Sequence, residues 1–191
     1  TWADTVQQLS VNRAPTPGNP GGTPKRSMPA ISPAYYPKGA TRGIANATGV
    51  SLLLLDFDNS DKVPTGQYHL DKRTGQPTNR PVLRDELIEE PVQMREPMAV
   101  LEQAGVAAFA WLTWSSTPAG PKFRIVVPLV QPVPVSRWAV ASEWALTALG
   151  LDPFRRGLDL PVLRNPVALA FLPGSPNPET IVRTEVRGEH L

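Results

Sequence analysis

Apolar residues gather in a few short blocks separated by long polar stretches. The run Gly49-Val50-Ser51-Leu52-Leu53-Leu54-Leu55-Asp56-Phe57-Asp58 has too few polar positions to alternate, so it predicts a strand buried on both faces that ends in acid. Pro97 suits a first helical position, Met98 to Ala104 continue the helix, and Gly105 ends it. Residues 106–116, rich in alanine, tryptophan and leucine, predict a second strand. Thr117-Pro118-Ala119-Gly120-Pro121 is a turn, and residues 122–129 predict a third strand pairing back as a hairpin. Ser136 is placed to cap a helix over 137–149, with Trp138, Ala141, Ala145 and Ala148 at helical spacing and Gly150 at its end. Short strands over 158–160 and 168–172, a Pro173-Gly174 turn and a strand over 180–186 complete the series. Residues 1–9 fit a short strand or a helix equally.

Between these blocks the chain is polar. Seven prolines fall between Ala14 and Pro37, where a missing backbone donor forbids helix or central strand, so an extended arm is expected. Residues 59–95 are turn-rich and predict a surface insertion or a small hairpin of their own. Strand, helix, hairpin, helix, strand reads as an α+β fold with helices backing one sheet. The organisation expected is a basic proline-rich arm over 1–45 and one domain over 46–191 that carries the 59–95 insertion.

Charge sharpens this division. The formal net charge is +2 over 191 residues, but residues 1–50 carry Arg13, Lys25, Arg26, Lys38 and Arg42 against Asp4 alone, leaving the remainder at −2. A basic arm beside a mildly acidic body suits a body that gathers carboxylates while the arm meets a polyanion; it equally suits a solvated linker. Composition then removes whole chemistries. The chain has no cysteine, so disulfides, thiolate metal cages and a cysteine nucleophile are excluded. Its two histidines, His69 and His190, make a histidine metal site or a serine–histidine triad a poor prospect. No apolar run is long enough to span a membrane and no signal segment opens the chain, so a cytoplasmic protein is expected. Thr1 in the first position reads as the start of a piece cut from a longer chain. Gly21-Gly22-Thr23-Pro24-Lys25 lacks the spacing and following helix of a phosphate-binding loop, which speaks against an ATPase.

The remaining chemistry lies in aspartate. Asp56 and Asp58, at i and i+2 of a strand, share a face about 6.6 Å apart at Cα, close enough to converge on a hard divalent cation. They could also simply cap a turn with Asn59 and Ser60 where the strand meets water. The hairpin that follows supplies the complement: Ser115 and Ser116 at one strand end, then Lys122 and Arg124 on one face of the next strand with Phe123, Ile125 and Val127 facing the core. Hydroxyls, a lysine and an arginine beside two carboxylates suit a metal-bound triphosphate. Alone, that hairpin reads as an ordinary solvated one. Asp159, bracketed by Leu158 and Leu160, would project from the sheet, or else pair with Arg155-Arg156. Trp111 and Trp114 fall on opposite strand faces, so at least one is expected in the core; Trp138 and Trp144 read as helix-packing residues.

The order Leu52-Leu53-Leu54-Leu55-Asp56-Phe57-Asp58, the Ser/Thr segment leading into Pro121-Lys122-Phe123-Arg124-Ile125-Val126-Val127-Pro128-Leu129, then Gly157-Leu158-Asp159-Leu160 and Phe171-Leu172-Pro173-Gly174, resembles archaeo-eukaryotic-type primases. The likeness is to the primase–polymerase domains of plasmid and phage replication proteins, and it covers about residues 40–175. It implies an RRM-like primase–polymerase sheet backed by helices and template-directed nucleotidyl transfer on single-stranded DNA. Asp56, Asp58 and Asp159 would hold Mg2+ or Mn2+ and serve catalysis; Ser115, Ser116, Lys122 and Arg124 would bind the nucleotide. Single-stranded DNA template, nucleoside triphosphates and a helicase domain or protein are the implied partners, with no membrane. The family's second motif carries a histidine after serine where this chain has Ser115-Ser116, and Ser116 stands in its place. A serine can hydrogen-bond a phosphate oxygen but carries no charge. Lys122 compensates, or nucleotide binding is weaker, or activity is lost. Two alternatives remain: the same fold as a catalytically inactive single-stranded DNA-binding module, or an Asp-x-Asp phosphatase with Asp56 as nucleophile.

Overall fold

The computed structural model describes residues 2–10, 30–172, 183–189 and 191. Residues 14–29 of the proline-rich stretch, the Pro173-Gly174 turn and the start of the expected 180–186 strand lie outside the described residues.

The elements in chain order are α1 (Trp2–Ser10), β1 (Ala30–Ile31), β2 (Ala34–Tyr35), β3 (Gly49–Phe57), β4 (Ser60–Leu70), β5 (Pro77–Leu87), α2 (Arg95–Gln103), β6 (Ala108–Leu112), β7 (Phe123–Val133), α3 (Trp138–Ala148), α4 (Leu160–Arg164), β8 (Ala170–Phe171) and β9 (Arg183–Val186). The fold is mixed α+β. Five strands form an antiparallel sheet in the order β2-β3-β7-β6-β9; β1 pairs with β8, and β4 with β5, as separate two-stranded ladders. Within the large sheet, β3-α2-β6-β7-α3 is a strand–helix–strand–strand–helix unit whose third strand lies between the first and second.

Alternation along the strands sets two cores. Leu53, Leu55 and Phe57 of β3, with Phe123, Ile125 and Val127 of β7, pack against Met98 and Leu101 of α2 and against Trp138, Ala145 and Leu146 of α3. Leu54, Val126, Phe109 and Trp111 point to the other face and bury Leu9 of α1. The leucine run is therefore covered on both sides, as its lack of polar positions demands. Phe57 and Phe123 are register partners with rings stacked 4.3 Å apart, pinning the end of β3 against β7.

Several elements differ from expectation. Ser136 lies within a 3-10 turn (Val135–Arg137) and no side chain caps α3. Trp144 is 68% exposed, while Trp138 is buried and its Nε1–H donates to the Leu163 carbonyl at 2.9 Å. Residues 158–160 are no strand: Leu158 makes a single bridge to Phe57, and α4 starts at Leu160. Residues 59–95, by contrast, contain an antiparallel hairpin, β4–β5, one of the two forms expected of them, though longer. Among the described residues no helix is long and apolar enough to cross a membrane.

Glu143 fastens the C-terminal helices, accepting from Arg155 at 2.5 Å and from Arg164 of α4 at 2.7 Å. Arg155 chiefly, with Arg164, outweighs the effect of burial and holds the carboxyl below its ordinary range. A depressed acid contributes stability above its unfolded value, lost as pH falls through the folded one. Glu143→Gln should therefore lower stability at pH 7 by about 1 kcal/mol or less, given the partial exposure of the pairs. Thermal unfolding should show the gap closing as the pH falls below the usual carboxylate value of about 4.

Candidate functional site

The site forms where β3 ends. In the β3–β7 register Asp56 faces Arg124, and both share the parity of Leu54 and Val126, so they lie on the α1 side of the sheet. Arg124 Nη2 donates to Asp56 Oδ2 at 2.9 Å, with side chains only 10% and 15% exposed. One step outward, Lys122 Nζ donates to Asp58 Oδ1 at 2.7 Å. The two acids and two cations expected to share a face do so, as interlocked pairs.

Burial separates the acids electrostatically. For Asp56, loss of hydration exceeds the pull of Arg124, and Asp159 and Asp58 push further, so its carboxyl sits above the ordinary range. For Asp58 burial also pushes up, but hydrogen bonds from Lys122, Ser60 and Lys62 together prevail and the carboxyl lies below it. Ser60 Oγ reaches Asp58 Oδ2 at 2.9 Å and Lys62 Nζ reaches the same atom at 3.2 Å. Lys62 also pairs with Asp85, its register partner on β5, and Lys122 lies 3.5 Å from Asp85 Oδ2. Ser60, Lys62 and Asp85 thus belong to the site although the sequence did not single them out for it. The alternation Asp58, Ser60, Lys62 was visible; Asp85 depends on the hairpin register.

Asp159 arrives from a third direction. The backbone of 157–159 lies along the end of β3, with Asp58 and Asn59 N–H groups donating to Gly157 O at 3.0 and 3.1 Å and Asp159 N–H to Asp56 O at 2.8 Å. This brings Asp159 beside Asp56 and Asp58, not as a strand residue but as the cap of α4, its Oδ1 accepting from Val162 N–H at 3.1 Å. Asp58 and Asp159 line one cleft of about 420 Å³ with Ser60, Lys62 and Leu160. Ser116 lines another, of about 600 Å³, with Arg95, Leu112 and Thr117 beside α2. Its Oγ accepts from the Lys122 N–H at 3.0 Å, so it acts on Lys122 through the backbone. Ser115 is exposed, and its hydroxyl makes no hydrogen bond among the described residues. Ser116 and Asp159 therefore line different clefts.

Asn59 holds these segments in place. Fully buried and at φ 50°, it donates from Nδ2 to Val92 O at 2.9 Å and Pro121 O at 2.6 Å, and accepts at Oδ1 from Val92 N–H at 3.0 Å. It joins the strand end, the segment before α2 and the residue preceding Lys122.

Two buried donors on the Asp56 side, Arg124 Nε and Trp111 Nε1, have no hydrogen-bond partner among the described residues. Trp111 and Arg124 are register neighbours across β6 and β7. Among the described residues no three His, Asp or Glu side chains form a group able to cage a metal ion. No protein-family model, curated protein or solved structure matches the chain.

Proposed function

We propose that the chain is the catalytic domain of a DNA primase or primase–polymerase, transferring nucleotides to a growing strand on a single-stranded DNA template. The observation that carries this reading is the end of β3: Asp56 and Asp58 leave a doubly covered strand directly opposite Arg124 and Lys122, with Asp159 alongside. The β3-α2-β6-β7-α3 order, with the third strand between the first two, supports an RRM-like sheet. The Arg124 guanidinium beside Asp56, a planar donor group that matches phosphate oxygens, supports the nucleotide-binding part of the reading.

The donor set suits Mg2+ or Mn2+. It offers only hard oxygen ligands, and the repulsion of Asp56 by Asp159 and Asp58 is what a divalent cation would relieve. Magnesium is commonly held by one or two carboxylates, with substrate phosphates and waters completing its shell, so a three-carboxylate cage is not required. Asp56 and Asp58 would be the direct ligands and Asp159 the third carboxylate; a bound ion would stabilise charge on the transferring phosphoryl group. Lys122 and Arg124 would exchange their carboxylates for nucleotide phosphates, and their present pairs keep both side chains aimed at the site. Ser116, in the position of the family's histidine, fixes the Lys122 backbone.

The pairing of both carboxylates with cations also favours a second reading, an inactive single-stranded DNA-binding module of the same fold. Primer synthesis on single-stranded DNA with ribo- or deoxyribonucleotides and Mg2+ or Mn2+ separates the two. The wild type should form product and Asp58→Ala should not. Binding of template with no product under either cation would leave the module reading.

A further inference from the structure

The β4–β5 hairpin is a two-stranded ribbon of eleven residues a side, exposed along nearly all of both faces. Such ribbons contribute little stability of their own. Its root is part of the site: Ser60, Lys62 and Asp85 bind Asp58 or Lys122. There the cations are neutralised, Lys62 by Asp58 and Asp85, and Arg84 by Glu86. The far end is different. Lys72, Arg73 and Arg80 have no ion-pair partner among the described residues. The nearby carboxylate, Asp71, is spent on the turn, accepting from the N–H groups of Arg73 and Thr74 at 2.9 and 2.8 Å and from the Thr74 hydroxyl at 3.0 Å. Asp71 N–H to Gln76 O and Gly75 N–H to Asp71 O, at 2.9 and 2.8 Å, close the loop. Tyr68, half exposed, lies just below these cations.

We propose that this ribbon is an arm for single-stranded nucleic acid: Lys72, Arg73 and Arg80 hold phosphates, Tyr68 stacks on a base, and the strand runs down toward the carboxylates at the root. At strand rise the ribbon reaches about 35 Å from the site. Charge complementarity selects a polyanion, and a stacking ring among unpaired cations suits one with exposed bases. The direction of the strand rests on the primase reading; the binding surface does not.

The test uses the full chain, fluorescence anisotropy with a labelled oligothymidine of about 30 nucleotides, and a salt series. The triple variant Lys72→Ala, Arg73→Ala, Arg80→Ala should bind at least about tenfold more weakly near 0.1 M salt, with a log–log salt slope shallower by about 2. Tyr68→Ala should weaken binding by about tenfold with the slope unchanged. Unchanged thermal unfolding of both variants confirms an intact fold. Equal affinity and slope for the triple variant and wild type would overturn the proposal. So would tighter binding of these residues to phosphatidylserine vesicles than to the oligonucleotide. Primer synthesis on the same oligonucleotide keeps the two readings apart. Binding lost in the triple variant while the wild type makes no product leaves the arm standing and removes the primase; product with undiminished binding in the variant does the reverse.

Discussion

Asn59→Ala should lower the unfolding free energy by about 3–5 kcal/mol, because it strands buried partners and imposes a left-handed backbone on alanine. The Val92 and Pro121 carbonyls and the Val92 N–H lose their partner together, in a place sealed from water. In a chain of this size that is a fall of about 10–15 °C in the unfolding midpoint. Asn59→Gly tests which cause dominates: it accepts φ 50° freely yet restores no hydrogen bond, so it should recover only about 1 kcal/mol. Gly157 is the opposing surface. A Cβ there would collide with Asn59 Oδ1 and come within 2.9 Å of Val92 Cγ2, so Gly157→Ala should itself cost about 2–4 kcal/mol. Since part of that clash is with Asn59, the double variant should lose less than the two single losses combined. Chemical denaturation of the four proteins measures the cycle; an Asn59→Ala loss below about 1 kcal/mol would dismiss this anchoring role.

The contrast between Asn59 and its neighbours shows what the sequence could reveal. The leucine run, the 117–121 turn and the alternation of Lys122, Phe123, Arg124 and Ile125 require only local periodicity, and they put Asp56 and Arg124 on one face before any register is known. The helix over 138–148 is apolar nearly all round, so spacing cannot select its buried side. Packing takes Trp138, Ser142, Ala145 and Leu146 and leaves Trp144 out. Leu158 and Leu160 resemble strand residues, so local pattern puts Asp159 on a strand where the structure has it capping α4. The better signal was Asp159 before Leu160-Pro161, a capping acid with proline in the first turn. Residues 60–87 are polar on both faces, so no alternation marks the ribbon, and Asp85 enters the site only through its pairing with Lys62.

On the proposed primase reading, Asp56→Asn should abolish primer synthesis and yet leave the fold as stable as before, or more so. The environment of Asp56 disfavours its charge: burial outweighs Arg124, and two neighbouring aspartates add repulsion, so its carboxyl lies above the ordinary range. A raised acid favours its protonated form in the folded state. That stability is fully present below the unfolded value, about 4, and is lost as pH rises through the folded one. The wild type therefore carries an ionisation penalty at pH 7 that the amide lacks, while the amide oxygen can still accept from Arg124. Unfolding without divalent cations should show Asp56→Asn at or above the wild type at pH 7, with any gap closing below about pH 4. Asp58→Asn should behave oppositely, since Lys122, Ser60 and Lys62 hold Asp58 below its ordinary range and its charge stabilises the fold at pH 7. On the same reading, losing a carboxylate that would hold the metal and stabilise transferring charge by several kcal/mol should reduce turnover on the order of 10³-fold or more. A variant that gains stability and loses activity marks a carboxylate kept for chemistry. An Asp56→Asn protein that unfolds well below the wild type at pH 7, or that still makes primers, would reduce Asp56 to the structural partner of Arg124.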